Sequence, residues 1–515
     1  MALMKELATR KVHVNQLGYR PADIKKAAVA ADVEAFRVLR VDGSAAFEGT
    51  VSAAVFDAAS QETVRVADFS AMTEKGDFVV SAGDEESFAF MVCDEPYGGL
   101  RKALLDFFEY QKCGVEVEGG AWAHPPCHTG LATVYGTDKK LDVSGGWHDA
   151  GDYGRYIVPA AVTVADMLLA HELSPNPDEN LLDVVWFEVE WMLKMQCAET
   201  GGVYHKVSCH YFNALDEMPH NELNELVLSP ISATATADFA ACMAMAARFY
   251  PEKKDALLAA ARHAWGWCAA HPDYPTFKNP EGVFTGGYGD RSDADERFWA
   301  ACELYAATGE PAFHEYIKAA ERPIGLGWGN VGTYGLYAYF FHADNKDEPL
   351  AVQMRDAMTN EAARILALHS TDPYGNSLGE NYGWGSNLAV ANNAMMLLLT
   401  RPFAKEPEAH TQAALEHLHY LLGRNPLSQS YITGFGAHPP EHPHHRPSFS
   451  VGECLPGMVV GGPNRHTQQD PALKEHRTGA PPSKAYVDHA HSYSANEITI
   501  YWNSPVYFMM AVLGL

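Results

Sequence analysis

The sequence predicts a two-part fold, a small all-β sandwich followed by a large all-α domain of paired helices. Three observations predict it. Residues 1–95 alternate in short apolar runs broken by polar turns. After Pro96 about twelve segments carry apolar residues at helical spacing. The stretches joining those segments are long and hold most of the aromatic, His, Gly and Pro residues.

The strand-like runs are Lys11–Leu17, Ala27–Ala31, Phe36–Val41, Phe78–Ser81 and Ser87–Cys93. Alternation over so few residues, with turn signals between, is the pattern of a β-sandwich. The helical segments are 97–111, 155–172, 179–196, 232–249, 253–271, 291–306, 310–323, 333–341, 350–368, 386–400, 407–422 and 496–513. Segment 253–271 shows the helical period well, and many of the others are rich in Ala, which lets helices approach closely. Twelve helices fit six hairpins in a double-ringed α/α barrel, although counting alone does not separate a barrel from a solenoid. The domains expected are therefore 1–95 and 96–515. The joining stretches 112–154, 197–231, 272–290, 371–385 and 424–495 are too long for mere connections. Loops of that length in a folded domain usually carry function.

Composition narrows the class of ligand. The chain has 515 residues, of which 47% are apolar and 20% charged, enough for a buried core and too ordered in composition for general disorder. Its net charge of −27 repels phosphate backbones and anionic membrane surfaces, so neither nucleic acid nor membrane is an expected partner. A neutral carbohydrate is compatible. No apolar run approaches the ~20 residues that cross a bilayer. The start, Met-Ala-Leu-Met-Lys-Glu-Leu-Ala-Thr-Arg-Lys, is too polar for a secretory signal. The expectation is a cytoplasmic protein, or a secreted one if a leader has been removed. The nine cysteines are odd in number and scattered, as free thiols in a reducing compartment would be.

Four constellations carry chemistry. Gly145-Gly146-Trp147-His148-Asp149-Ala150-Gly151-Asp152-Tyr153-Gly154-Arg155-Tyr156 holds two carboxylates three residues apart between glycines and aromatics. Such a pair can hold and deprotonate one water; the alternative is an Asp-rich turn that caps the next helix. Glu497 stands where a polar loop becomes an apolar C-terminal helix, with Tyr493, Tyr501 and Trp502 near in sequence. A Glu there either complements the helix dipole or, in aromatic surroundings, keeps its proton for general-acid work. His444 and Arg446 lie two apart in a Pro-flanked loop and can both donate to hydroxyls; exposed histidines or a second metal site are the other readings of that His-rich stretch. Cys113, Cys127, His128 and His148 lie within 36 positions. Two thiolates and two imidazoles make a closed tetrahedral zinc site, against the alternative of buried thiols and unrelated imidazoles. A metal there pins the loop that carries Asp149 and Asp152.

Together these segments resemble glycoside hydrolase family 9, the inverting cellulases, over nearly the whole chain. Val12-His13-Val14-Asn15-Gln16-Leu17-Gly18-Tyr19 resembles the start of the immunoglobulin-like domain that precedes the (α/α)6 barrel in one subgroup. The Asp-Ala-Gly-Asp segment is similar to the family's base motif, which implies that Asp152 is the base and Asp149 its partner in holding water. Tyr486, Asp488, Tyr493, Glu497, Thr499, Asn503 and Ser504 fit the family's C-terminal signature, implying Glu497 as general acid. The loop 430–446 fits the other signature and implies His444 and Arg446 as sugar-binding residues, with Tyr493; it departs at His438, where the family has Asn, Lys or Arg. Asn381–Asn387 also resembles the subgroup and suggests Trp384 as an aromatic platform, a packed core Trp being the other reading. The resemblance implies structural zinc on Cys113, Cys127, His128 and His148. It implies calcium at Asp295 and Glu296, although the preceding Asp290–Ala294 is not the Ser-Gly-Tyr pattern common in the family.

The implied activity is inverting hydrolysis of β-1,4-glucosidic bonds in cellulose-type glucans or cello-oligosaccharides by a monomer. An inverting pair needs its carboxyls about 6.5–9.5 Å apart to admit water. The alternatives are an exo-acting glucosidase, glucosaminidase or cellobiohydrolase of the same fold, and an inactive carbohydrate-binding protein. A polysaccharide lyase of α/α fold is a third, but uronates call for a basic cleft that so acidic a chain does not advertise.

Overall fold

Alternation near the N-terminus puts every second side chain on one face, and two such faces close over a core of Val12, Tyr19, Val29, Phe36, Val38, Phe69, Phe78, Val80 and Phe90. The computed structural model describes residues 4–8 and 10–515. The parts of the polar N-terminal stretch and of segment 1–95 that fall on residues 1–3 and 9 lie outside the described residues. One sheet runs Gly18–Tyr19, Phe90–Val92, Gly76–Ala82, Ala35–Arg40, Ala45–Thr50, with Glu85–Glu86 added to Gly76–Ala82. The other runs Val12–His13, Lys26–Val29, Glu62–Asp68, Val55–Asp57. The run read as Lys11–Leu17 is strand only at Val12–His13; the chain then bends and re-enters the other sheet at Gly18. Gly18 has φ +123°, and a Cβ there would meet the Met91 carbonyl at 2.0 Å, so only glycine fits.

The helices are α1 (Leu100–Tyr110), α2 (Ile157–Leu173), α3 (Leu181–Lys194), α4 (Ala233–Ala246), α5 (Lys254–Ala270), α6 (Ala294–Thr308), α7 (Pro311–Ala319), α8 (Gly332–His342), α9 (Glu348–His369), α10 (Ser386–Thr400), α11 (Pro407–Leu421), α12 (Arg446–Val451), α13 (Pro471–Arg477) and α14 (Ile500–Leu513). All twelve segments read as helical are helices; the two short ones, α12 and α13, were hidden in the longest joining stretch. The chain forms two compact units, Met1–Phe107 with Ala362–Leu515, and Phe108–Glu361.

Within Phe108–Glu361 the helices sort into two layers. Helices α2, α4, α6 and α8 pack against one another in succession, while α3, α5 and α7 each pack behind a neighbour. Burial follows from this. All fourteen residues of α4 are buried, whereas only Phe313 and Ile317 are buried in α7. Hence the Ala-rich run 233–246, whose Thr234, Thr236 and Asp238 are buried with its apolar residues, is a helix enclosed on all faces. Ser232 caps it, its side chain accepting from the Ala235 N–H.

In the other unit, α10 packs on both α11 and α14. Helix α14 begins at Ile500, four residues later than its apolar pattern suggests. Thr499 caps it, accepting from the Trp502 N–H, and the preceding Glu497 and Ile498 are extended backbone paired with His444 and Val460. Glu497 is therefore outside the helix, and a dipole role in its first turn does not apply.

The sandwich braces this unit through named contacts. The Tyr19 ring meets His419 edge-on at 5.0 Å, and Gln16 Nε2 donates to the Ser428 carbonyl at 2.6 Å while its Oε1 accepts from the His438 N–H at 2.8 Å. Glu416 of α11 accepts from buried Arg424 at 2.7 Å and from Lys26 of the sandwich at 2.8 Å. Burial pushes the Glu416 carboxyl up, but Arg424 and then Lys26 outweigh it and hold it well below the usual carboxylate range. A depressed carboxyl contributes stability above its unfolded pKa of about 4.3 and loses it as pH falls through the folded value. Glu416→Gln leaves Arg424 buried without its counter-charge and is expected to cost about 3–5 kcal/mol at neutral pH, with the difference shrinking in acid. Urea unfolding of both proteins at several pH values measures it; equal midpoints at pH 7 would show that the network stabilises nothing.

Candidate active site

The loop 145–156 is a rigid carrier for two acids. Gly146 has φ +76°, and a Cβ there would meet the Trp191 ring at 2.5 Å, so the glycine lets the loop lie flat on α3. The Trp147 N–H donates to Glu188 Oε2 at 2.6 Å and its ring packs on Phe108. Gln111 holds the next turn, donating through Nε2 to the carbonyls of His148 at 2.9 Å and Ala150 at 3.1 Å. Arg155 Nη1 ties the start of the loop, donating to Val143 and Gly145 carbonyls at 2.8 and 2.7 Å. Helix α2 follows with Tyr156 as its N-cap and no side-chain cap bond, so neither Asp149 nor Asp152 serves as a helix cap.

Asp149 and Asp152 are both buried. Asp152 Oδ2 accepts from the Gly154 N–H at 3.0 Å and from the Tyr156 hydroxyl at 3.3 Å. Asp149 Oδ2 accepts from the Tyr288 hydroxyl at 2.5 Å, while its Oδ1 takes no bond from the protein and keeps its acceptor capacity. Burial, and then the charge of Asp152, raise the Asp149 carboxyl well above the usual range; the Tyr288 bond pulls the other way. Lys206 is buried near Asp152, donating to Thr285 Oγ1 at 2.9 Å and to the Gly286 carbonyl at 2.5 Å. Burial pushes its ammonium down to about 7, against the attraction of Asp152. The arrangement can bind water at one acid and take its proton at the other.

The four proposed metal ligands come together. Their donor atoms all lie within 4.8 Å of one another, the one such group of three or more His, Cys, Asp or Glu among the described residues. The sulfurs of Cys113 and Cys127 are 3.8 Å apart, Cys113 Sγ is 3.7 Å from His128 Nδ1 and Cys127 Sγ is 3.6 Å from His148 Nε2. A tetrahedral zinc with its ordinary bond lengths spaces two sulfurs by about 3.8 Å and a sulfur and a nitrogen by about 3.6 Å. The residues fit the ion. His128 Nε2 meets Glu222 Oε2 at 3.0 Å, the carboxylate contact that orients a metal-binding imidazole.

Around Glu497 the C-terminal signature is a hydrogen-bonded frame. Asp488 accepts from the N–H groups of Glu441 and His442 at 2.7 and 2.9 Å. Asn496 donates to Asp488 and to the His442 carbonyl, and accepts from Tyr486. Asn503 accepts from the Val459 N–H and donates to the Gly457 carbonyl. The frame lays His444 alongside Glu497 as paired extended backbone. His444 Nδ1 donates to the Ala490 carbonyl at 2.6 Å; burial and then Arg446 push its imidazole down to about 4, so it is neutral with Nε2 left as an acceptor. Tyr493 lies 6.2 Å from the His444 ring and 5.6 Å from Trp384. Trp384 is 50% exposed, which removes the reading of a packed core Trp. Arg446 opens α12 and is buried. The histidines of 438–491 form no second group of three ligands among the described residues.

Asp295 and Glu296 open α6 and are buried. Asp295 Oδ2 accepts from the Val331 N–H at 2.9 Å, and both oxygens of Glu296 lack a hydrogen-bond partner. Burial and then Asp238 and Asp295 raise the Glu296 carboxyl. The unbonded buried carboxyl of Glu296 fits a hard cation in its donor type, although no three carboxyl donors converge here among the described residues.

Residues 97–510 match the sequence profile of glycosyl hydrolase family 9. The chain belongs to this family. Residues 8–87 match the cellulase N-terminal ig-like domain. The fold class read from the sequence, an immunoglobulin-like sandwich followed by an (α/α)6 barrel, is that of the family, and the chain is a glycoside hydrolase of the cellulase type. It is 36% identical to a cellodextrinase of Butyrivibrio fibrisolvens, over 98% of this chain and 99% of that protein. It is 33% identical to endoglucanase D of Acetivibrio thermocellus, over 97% of this chain and 83% of that one. Among solved structures, AaCel9A in complex with cellobiose-like isofagomine superposes with a TM-score of 0.92 at 38% identity, covering 98% of this chain and 100% of that one.

Sequence reasoning missed Glu188 and Gln111, which hold the loop, Tyr288, which bonds Asp149, Lys206 near Asp152, and Glu222 on His128. No motif links Tyr288 to Asp149, 139 positions away. The one signal was that loop 272–290 is too long to be a connection. Tyr288→Phe removes the bond that lowers Asp149, so its carboxyl rises further. The acid limb of the glycosidase pH–rate profile is expected to move to higher pH and turnover to fall about 10–100-fold, as measured by initial rates between pH 4 and 9. A limb that stays put or moves down would show that Tyr288 does not set this ionisation.

Proposed function

We propose that the chain hydrolyses β-1,4-glucosidic bonds of cellulose-type glucans and cello-oligosaccharides with inversion. The observation that carries this is the buried Asp149–Asp152 pair, braced on all sides and with one acceptor oxygen free of protein bonds. Protonated Glu497 gives its proton to the leaving oxygen. Asp152 deprotonates the attacking water that Asp149 helps to hold, from the opposite face of the sugar. Lys206 lies buried near Asp152 and attracts its carboxylate when charged. His444, Arg446 and Tyr493 contact sugar hydroxyls, and Trp384 offers a ring face to a pyranose.

The relatives named endoglucanase and cellodextrinase support the substrate class. The second name favours soluble cello-oligosaccharides as a variant of the same reading, and product profiles from labelled cellohexaose distinguish it. Cys113, Cys127, His128 and His148 would hold a structural zinc that fixes the loop of Asp149 and Asp152. Calcium at Asp295 and Glu296 would neutralise buried acids at the start of α6. None of the nine cysteines is joined in a disulfide, which supports a reducing, cytoplasmic compartment.

Asp152→Asn and Glu497→Gln are each expected to lose at least about 10²–10⁴ in turnover on cello-oligosaccharides, with anomeric NMR of the wild-type products showing inversion. Retention, or near wild-type turnover in folded Asp152→Asn, would end this reading. Metal analysis is expected to find one zinc per chain, and a chelator that removes it should lower the melting temperature. Activity lost on chelation with unchanged melting would mean that the zinc is not structural.

A further inference from the structure

The unit that carries the base loop also carries an aromatic surface the reaction leaves unused. Tyr211 and Phe284 are 63% and 61% exposed. Their rings stack 4.9 Å apart and 18° from parallel, so each has its other face and its edges in solvent. Large aromatics are normally drawn inward, and a stacked pair left this exposed is costly unless something covers it. The pair is held by backbone rather than by burial. The Phe284 N–H donates to the His210 carbonyl at 2.8 Å, His210 Nδ1 donates to the Gly282 carbonyl at 2.9 Å, and Asn279 Nδ2 donates to the Thr285 carbonyl at 2.6 Å. The backbone that carries the rings is therefore held in place before any ligand arrives.

Both rings stand on chain segments that lead to the base. Tyr211 is five residues beyond Lys206, the cation near Asp152, and Ser208 between them bonds Thr285 at 2.7 Å. Phe284 is four residues before Tyr288, whose hydroxyl holds Asp149. At most about 3.4 Å of chain per residue puts the pair within about 17 Å of those anchors.

We propose that Tyr211 and Phe284 form an outlying platform for a β-glucan chain that extends beyond the bond being cut. A β-linked pyranose has apolar faces of axial C–H groups, and the outer face of either ring, backed by its stacked partner, is a flat surface of the matching kind. The ligand is neutral, as a chain of net charge −27 requires of a partner drawn close. Two side chains are far too small a patch for a stable protein interface, which needs about 800 Å² on each partner. Continuity with the base loops favours the substrate itself. The proposal rests on the glucanase reading above.

The test compares a long and a short substrate. The Tyr211→Ala, Phe284→Ala double variant is expected to raise KM on cellohexaose about tenfold, with KM and kcat on p-nitrophenyl cellobioside unchanged. Tyr211→Phe and Phe284→Tyr should restore the wild-type value and Tyr211→Leu should not, which separates stacking from general apolar contact. Equal changes on both substrates, no change on cellohexaose, or rescue by Leu would overturn the platform. So would a wild-type dimer that the double variant converts to monomer in sedimentation. If the wild type cleaves neither substrate, the glucanase reading fails by itself. Retardation in a gel containing a soluble β-glucan then decides the platform: slowed wild type with a freely running double variant supports it, and equal mobility overturns it.

Discussion

The catalytic half of this molecule depends on keeping two carboxyl groups buried close to each other. Each desolvated charge is expensive and the second makes the first worse, which is why Asp149 is raised by burial and by Asp152 together. Left alone, the loop would turn outward and let both groups hydrate. What prevents this is a set of bonds to parts of the backbone other than the acids: Glu188 on the Trp147 N–H, Gln111 on two carbonyls, Arg155 on two more. The cost of burial is met by the surrounding frame, and the acids are left with bonds that tune rather than anchor them. The His148 side chain, one residue before Asp149, lies in the Cys–His cluster, so a bound ion would act on the same loop.

The same division of labour appears around Glu497 in the other unit. The polar residues of the C-terminal signature bond mainly to backbone and to one another, with Asp488 and Asn496 at the centre. Glu497 joins this frame through its backbone, paired with His444. The sandwich adds a further layer, since Gln16 bonds both Ser428 and His438 at the root of the loop that leads to His444. A small β domain at the N-terminus thus helps position a loop more than four hundred residues away in sequence.

Periodicity made the helices legible because each buries a fixed face over several turns. The inner helices were legible for another reason: α4 is rich in small apolar residues all round, and only enclosure makes that tolerable. Helix starts were less so. The apolar pattern of α14 begins before its first hydrogen-bonded turn, and Thr499 as the cap is visible only once Glu497 is seen paired to His444. The strands Ala45–Thr50 and Glu62–Asp68 were missed since their alternation is diluted by half-exposed polar residues. The acids and the cysteine–histidine set were legible through the family resemblance, since their residue types alone also fitted a capping turn and unrelated thiols, and Trp384 was legible through that resemblance only. Glu188, Gln111 and Tyr288 were not, because a buried Glu on a helix or a Tyr in a loop has no local signature; their roles exist only in three dimensions.

Lys206 shows how that third dimension decides the chemistry. In the sequence it is one lysine in the joining stretch 197–231. In the structure it is the buried positive charge near Asp152, bonded to a loop whose next residues reach Asp149 through Tyr288. Burial weakens its charge while Asp152 strengthens it, and the Tyr288 bond lowers one acid while the other acid raises it. The two carboxyls thus face different partners, Asp152 an ammonium and Asp149 a phenol. That asymmetry, rather than the spacing of the two acids, is what makes two neighbouring carboxyls chemically different.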